Sequence, residues 1–270
     1  PHFRKSTTFL NFNDSKSLHT RSHQSPHPAD KMIRDRDSSL YASPDRMQSH
    51  QPAEVIRITP ELLSEISGTP IRNLSGLLIL DLHMKDRKGK IRRIEQMSLL
   101  PNLKQLNFSF NAIVAIEGLE RLSNLLELNL AENDIAVIEN LGSLRSLEKL
   151  NLSGNKIKRI PESISQLSRL THLRIASNQL DVPNDLRHVG KLPKLEKLRI
   201  DRNPFSSKNT ALFAVHCISS LVELDRVAVT QDHRDTAARM FGTSVLAQLR
   251  SQLAEEESKL YRMRNDVNRS

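Results

Sequence analysis

The sequence predicts an α/β solenoid with a short parallel sheet on its concave side, helical caps, and a C-terminal helix that starts a coiled coil. The first observation is a pattern, L-x-x-L-x-L-x-x-N, that begins six times between residues 77 and 195, at intervals of 26, 22, 22, 23 and 25 residues. The second is that units as similar as LEKLNLSGN (147–155) and LEKLRIDRN (195–203) keep their apolar positions while their polar positions change. Units this short cannot bury an apolar face alone, so they must stack.

The x-L-x-L-x segment of each unit alternates apolar and polar residues, which predicts a short strand with its leucines inward. Stacked units should then place these leucines in continuous columns, with each leucine packed on that of the next unit. The first such column contains Leu80, Leu106, Leu128, Leu150, Leu173 and Leu198.

An asparagine ends five of the six units, where the backbone must turn. Because a buried amide side chain offers two donors and an acceptor, it can bond the turn backbone of its own and the neighbouring unit. We therefore expect a structural ladder rather than ligand-binding residues, formed by Asn111, Asn133, Asn155, Asn178 and Asn203. The first unit has the charged insertion KDRKGK instead, which predicts an irregular turn.

The pattern is that of the leucine-rich repeat, and it divides the chain into five parts. Residues 1–53, rich in Ser, His, Pro and Arg, predict a disordered basic tail. Residues 54–76 form an N-terminal cap helix, with Thr59 at the N-cap and Pro60 at the first helical position. The repeats occupy 77–205, a C-terminal cap 206–232, and a helix that starts a coiled coil 233–270.

Heptad spacing favours the coiled coil: Leu246, Leu253, Leu260 and Val267 share one position, and Leu249 and Met263 the other, which Glu256 interrupts. The alternative is a single amphipathic helix that packs back on the cap. The heptads would allow self-association through coiled coil further downstream. Because the chain begins with Pro1 and ends within the heptad pattern, we expect it to be a piece of a longer protein.

Composition limits the classes of partner. The net charge of +9 and pI near 9.8 permit an acidic partner, whether nucleic acid, an anionic membrane or an acidic protein tail, and do not choose among the three. A lone cysteine, Cys217, fits a reducing compartment, and no run approaches the about 18 apolar residues of a membrane span.

The outward strand positions gather positive charge in the second half of the repeats. We predict that this basic patch binds an acidic protein segment, since guanidinium groups suit carboxylates. Its residues are Lys149, His172, Arg174, Lys197, Arg199 and Arg202. The alternative is a solvated face that Glu148, Glu196 and Asp201 neutralise.

Catalysis is not expected, since the sequence has no Gly-rich phosphate loop, metal-ligand cluster or nucleophile–base pair. We predict no catalytic residue, metal or cofactor, and no small-molecule substrate. His216, Cys217 and Asp225 are interpreted as cap residues.

Two resemblances refine the function. The segment LVELDRVAVT resembles the C-terminal cap of intracellular leucine-rich repeats of about 22 residues, which phosphatase-1 regulatory and spliceosomal proteins share. Residues 54–250 resemble the N-terminal region of the centriolin family through RITPELL, DLHMKDRKGKIRRIEQM and VAVTQDHRDTAARMFG. This resemblance implies a cytoplasmic scaffold at the mother centriole and midbody that acts in microtubule organisation and cytokinesis.

Three other function classes stay open at this point. A phosphatase-1 regulatory subunit resembles these repeats but usually ends at the cap, whereas heptads follow it here. A spliceosomal, RNA-associated protein is allowed by the charge, but we expect no aromatic platform for bases on the concave strands, with Phe108 inward and Phe110 at the turn. An extracellular receptor is disfavoured because the flanking cysteine clusters of such repeats are missing.

Overall fold

The computed structural model describes residues 54–84, 89–242 and 251–257. The predicted tail 1–53 lies outside the described residues. The strands, β1 to β10 in chain order, are Glu54–Ile56, Ile79–Asp81, Gly89–Ile91, Gln105–Asn107, Glu127–Asn129, Lys149–Asn151, His172–Arg174, Lys197–Arg199, Glu223–Leu224 and Val227–Ala228. The α-helices, α1 to α4, are Pro60–Ser67, Leu186–Val189, Lys208–Cys217 and Gln231–Phe241. Short 3₁₀ helices span Ile71–Gly76, Met97–Leu99, Glu162–Gln166 and Pro183–Asp185.

One sheet runs along the repeats in the order β10-β9-β8-β7-β6-β5-β4-β2, parallel throughout except for the antiparallel pair β9–β10. The central leucines of successive strands are register partners, and each is at most 2% exposed. This column runs through Leu80, Leu106, Leu128, Leu150, Leu173, Leu198 and Leu224. The predicted α/β leucine-rich repeat solenoid is therefore confirmed.

Buried asparagines connect each turn to the preceding one. Asn155 donates from Nδ2 to the carbonyl oxygens of Leu152 (3.0 Å) in its own unit and Leu130 (2.9 Å) in the unit before. Its Oδ1 accepts from the Ile135 N–H at 3.0 Å. The same contacts recur at Asn111, Asn133, Asn178 and Asn203. One side chain thus satisfies three backbone groups that the turn would otherwise bury unpaired.

The residue before each ladder asparagine has a left-handed backbone, with φ between 53° and 70°. These residues are Phe110, Glu132, Gly154, Ser177 and Arg202. Such a φ costs energy for a residue with a Cβ. The left-handed conformation is stabilised because four of these residues donate their backbone N–H to a carbonyl of the next unit. Glu132, for example, donates to the Ser153 carbonyl at 2.8 Å.

The N-terminal cap contains more than the helix predicted for 54–76. Thr59 Oγ1 accepts from the Leu62 N–H at 3.2 Å and starts α1, which ends at Gly68 with φ 65°. Before it, β1 pairs in parallel with β3, which is formed from the end of the charged insertion. A Cβ at Gly89 would lie 2.5 Å from Ile56 Cγ1, so any larger residue there would force the Ile56 side chain to move.

In the first turn, which lacks the ladder asparagine, a lysine side chain donates hydrogen bonds to backbone carbonyls. Lys90 Nζ donates to the Met84 carbonyl and, at 2.7 Å, to that of Phe110. The ammonium therefore joins the first two turns by a contact that the repeat pattern did not predict. Residues 85–88 of the insertion lie outside the described residues.

A tight hairpin closes the other end of the sheet. Asp225 and Arg226 have φ of 50° and 69° between β9 and β10, which is the geometry of a type I′ turn. Asp225 Oδ1 accepts the N–H of Ile200 (2.7 Å) and Asp201 (3.0 Å). The carboxylate thus replaces the strand carbonyl that accepts in earlier units. Burial, and next the neighbouring Asp201 carboxylate, raise the pKa of Asp225 to about 6.

The predicted helix over 233–270 is wrong in its bounds. Thr230 and His233 form a capping box, so α4 begins at Gln231, and it ends at Phe241 because Gly242 is extended (ψ 151°). The Phe241 ring packs edge-on against Phe213 of α3, with 5.2 Å between centroids. Residues 251–257 are helical, with Leu253 62% exposed. The heptad residues Leu246, Leu249, Leu260, Met263 and Val267 lie outside the described residues.

We predict that Asn155→Ala lowers the free energy of unfolding by roughly 1–3 kcal/mol, because it leaves buried backbone groups of two units unpaired. Urea denaturation followed by circular dichroism measures the change. The control is Asn124→Ala, which removes an exposed asparagine and should change stability by less than about 0.5 kcal/mol. Equal effects of the two substitutions would contradict the ladder.

We predict that Asp225→Asn makes the protein more stable relative to the wild type as pH rises. The folded pKa of about 6 lies above the ordinary value of this carboxyl. At pH values between the two, the folded state therefore binds more protons than the unfolded state. Wild-type stability from this group therefore falls as pH rises from about 4 through 6. The amide accepts the same N–H groups without ionising, so it avoids a loss on the order of 2–3 kcal/mol.

Chemical denaturation between pH 4.5 and 7.5 tests this. For the control variant Asp181→Asn, at an exposed position, the plot of unfolding free energy against pH should run parallel to that of the wild type. A parallel curve for Asp225→Asn would show that the Asp225 carboxyl titrates normally.

Candidate functional site on the concave sheet

The outward side chains of the strands line a shallow groove of about 440 Å³ that crosses β2 to β7. Two columns of side chains form its floor: the first and third residues of each strand. The residues two positions beyond the strand ends do not add a third column in the middle of the sheet, since Ser109, Ala131 and Ala176 are buried. The strands are only three residues long, so the chain has begun to turn at these positions.

Half of the predicted basic patch is already paired with carboxylates. Lys149 Nζ lies 2.6 Å from Glu127 Oε1, and Lys197 Nζ lies 3.5 Å from Glu223 Oε2. Arg202, in the turn after β8, has Nε 3.9 Å from Asp201 Oδ2. These pairs are solvent-exposed and contribute little to stability. They do reduce the positive charge that these three residues offer to a partner.

Arg174 and Arg199 differ from these three cations. They are register partners on β7 and β8, at the third position of each strand. Adjacent strands lie about 4.8 Å apart, so the two side chains leave the sheet next to each other. Among the described residues, neither guanidinium has a hydrogen-bond or ion-pair partner. They form the unneutralised part of the patch, which we call the arginine pair.

His172 lies beside the arginine pair, in the first column. Thr171 Oγ1 donates its only proton to the Glu148 carbonyl (2.9 Å), so His172 Nδ1, 2.8 Å away, must donate to Oγ1. Nε2 is then left without a proton in the neutral ring. Burial, followed by the charges of Lys197, Lys149 and Arg174, lowers the pKa of His172, while Glu196 raises it. His172 is therefore neutral at pH 7 in the free protein, not a cation.

Two asparagines in the second column extend the arginine pair toward β5. Asn129 Oδ1 accepts from the Ala131 N–H (3.2 Å) and Asn151 Oδ1 from the Ser153 N–H (3.2 Å). Their Nδ2 groups have no hydrogen-bond partner in the described part of the chain. From β5 to β8 this column therefore presents donors only. The predicted patch did not include these two asparagines; the sequence signal for them is an outward position two residues before a turn N–H.

The first strands of the groove carry neutral and acidic side chains instead of cations. Asp81 Oδ1 on β2 accepts from Asn107 Nδ2 at 2.9 Å and lies 3.1 Å from His83 Nδ1. Gln105 and Glu127 continue this half in the first column. The concave face is thus neutral to acidic at its N-terminal end and basic at its C-terminal end.

Two further side chains of reactive types, Asp185 and Cys217, have structural roles. Asp185 is buried and accepts both a two-pronged contact from Arg159 (2.7 and 2.8 Å) and the Ile160 N–H (3.0 Å). This arginine lowers the pKa of Asp185. Burial raises the pKa of the Cys217 thiol, which makes it a poorer nucleophile.

Neither a metal-binding cluster of His, Cys, Asp or Glu nor a helix able to span a membrane is found within residues 54–84, 89–242 and 251–257.

Comparison with known proteins gives a leucine-rich repeat family match over residues 123–254. Among curated proteins, none matches this chain significantly. A crystal structure of the Drosophila melanogaster SNF/U2A′ complex is similar, with 28% identity over 53% of this chain and 87% of that chain, and a TM-score of 0.49. The internalin InlF of Listeria monocytogenes is 24% identical over 60% of this chain and 51% of that chain, with a TM-score of 0.46. The family match and the column of register-paired leucines together identify a leucine-rich repeat domain, a class of domain that generally mediates protein interactions.

Proposed function

We propose that this chain is a non-catalytic scaffold module that captures an acidic protein segment on the C-terminal half of its concave face. The observation that carries this proposal is the arginine pair, Arg174 and Arg199, which lies in a column of hydrogen-bond donors. A guanidinium presents a planar fork of donors that matches a carboxylate. Neighbouring Asn129 and Asn151 add amide donors for carbonyl or carboxylate oxygens.

The alternative of a face neutralised by its own acids does not account for the arginine pair. Glu127, Glu223 and Asp201 each pair with another cation. Glu196 acts on His172, and the Glu148 carbonyl, not its carboxylate, accepts from Thr171. An acidic partner would supply the missing counter-charges.

A protein partner is favoured over single-stranded RNA by the composition of the strands. Phe108 is fully buried, and the ten described strands contain no Phe, Tyr or Trp. Bases in single strands are usually held by stacking on such side chains, with His and Arg side chains as further stacking partners.

We also propose that the module acts in the cytoplasm at the centrosome, in microtubule organisation and cytokinesis. The support is the sequence resemblance of residues 54–250 to the centriolin family, with its cap, insertion and exit segment in the same order. The heptad pattern beyond the cap would let such a scaffold self-associate.

Reversing the charge of the arginine pair should abolish binding to an acidic peptide. We expect Arg174→Glu with Arg199→Glu to weaken binding of a labelled glutamate-rich peptide at least about tenfold, because attraction becomes repulsion. Fluorescence anisotropy at 150 mM salt measures it. The control is Arg145→Glu with Arg169→Glu, two exposed positions away from the concave strands. Equal affinities of the two double variants would contradict the concave-face site.

Imaging in dividing cells tests the centrosomal part. We expect the tagged chain and its 54–270 segment to lie at the mother centriole and the midbody. The double variant at the arginine pair should lose this localisation if the concave face recruits the module, whereas the control variant should keep it. Diffuse or nuclear signal for the wild type would contradict the centrosomal role.

A further inference from the structure

The arginine pair has an excess of two positive charges that its surroundings leave uncompensated. Lys149, Lys197 and Arg202 each have a carboxylate within 4 Å, whereas Arg174 and Arg199 have none among the described residues. A single carboxylate brought by a partner would neutralise only one of the two. A phosphate monoester carries about −1.5 to −2 charges at pH 7 and therefore matches the pair.

The placement of the two arginines also suits a phosphate. They are register partners on adjacent parallel strands, and each can offer a fork of N–H donors. A carboxylate has two coplanar oxygens that a single fork satisfies. A phosphate monoester has three terminal oxygens in a tetrahedral arrangement, so it can accept from both forks together.

A bound anion would also favour protonation of His172, which lies two residues before Arg174 on β7. Its Nδ1 is held by Thr171 Oγ1, and its Nε2 is free to take a proton. The charged groups that face the ring are Lys149 from β6, Arg174 from its own strand, Lys197 from β8 and Glu196 before it. Three of these four repel a proton, and a bound dianion would reverse that balance.

Resting on the proposed function, we propose that the acidic segment carries a phosphoserine or phosphothreonine whose phosphate sits between Arg174 and Arg199. Nucleic acid fits this pair less well, because each backbone phosphate is a diester with one negative charge. Phosphorylation of the partner would then control its capture.

Three labelled peptides test this, each Gly-Glu-Gly-Glu-X-Glu-Gly-Glu-Gly, with X as phosphoserine, glutamate or serine. Anisotropy titrations at pH 7.5, where the phosphate is dianionic, should show the phosphopeptide binding at least about tenfold more tightly than the glutamate peptide. This preference should disappear in Arg174→Gln and in Arg199→Gln. It should be reduced in Arg174→Lys, which keeps the charge but loses the fork.

The matched control is Arg169→Gln, an exposed arginine five residues before Arg174, which should keep the preference. Thermal melts of every variant establish that it is folded. Equal binding of the phosphoserine and glutamate peptides, lost in the Arg174→Glu, Arg199→Glu variant, would overturn the phosphate inference while the proposed function stands.

Three other results would each overturn a different part of the proposal. Binding of none of the three peptides would overturn the proposed function together with the inference. Competition by a single-stranded RNA of equal charge, at the same concentration as the phosphopeptide, would overturn the choice of a protein partner. A phosphopeptide preference that survives in both glutamine variants would place the phosphate elsewhere and overturn the assignment to the arginine pair.

Discussion

The solenoid depends on the buried asparagine that ends five of its six repeats. Every repeat must reverse direction within a few residues, and each reversal points backbone groups into the core, where water cannot reach them. One amide side chain meets that need: Asn155 bonds carbonyls of two units and one N–H. Without it, these backbone groups would be buried without partners beside the leucine columns.

This arrangement separates stability from recognition. The inward leucines and the asparagines are fixed by contacts with neighbouring units, whereas the first and third residues of each strand face the groove. They are free to vary, and they do: Asn151 on β6 is followed by Arg174 on β7 and Arg199 on β8. Two residues that differ from the preceding asparagines thus place an arginine pair in this column, while the fold of the strands stays the same.

The two ends of the stack are closed by other contacts than those inside it, because an end unit lacks a neighbour on one side. At the N-terminal end, Lys90 joins the first two turns and Gly89 allows a second, two-stranded sheet to form. At the C-terminal end, Asp225 accepts two N–H groups while the chain turns back as a hairpin. Each device uses a charged or special residue where the repeat would have used asparagine or strand carbonyls.

The sequence by itself determined the solenoid, the inward leucine column and the outward positions, because a short repeat leaves one way to bury its apolar face. It also brought Arg174 and Arg199 to the same column. Only the tertiary structure decided which cations are paired, because Lys149 meets Glu127 across strands 22 residues apart. Likewise, Thr171 donates to the Glu148 carbonyl, and so sets the proton position on His172, while Asp225 accepts from Ile200. Both bonds join different units, so no local pattern encodes them.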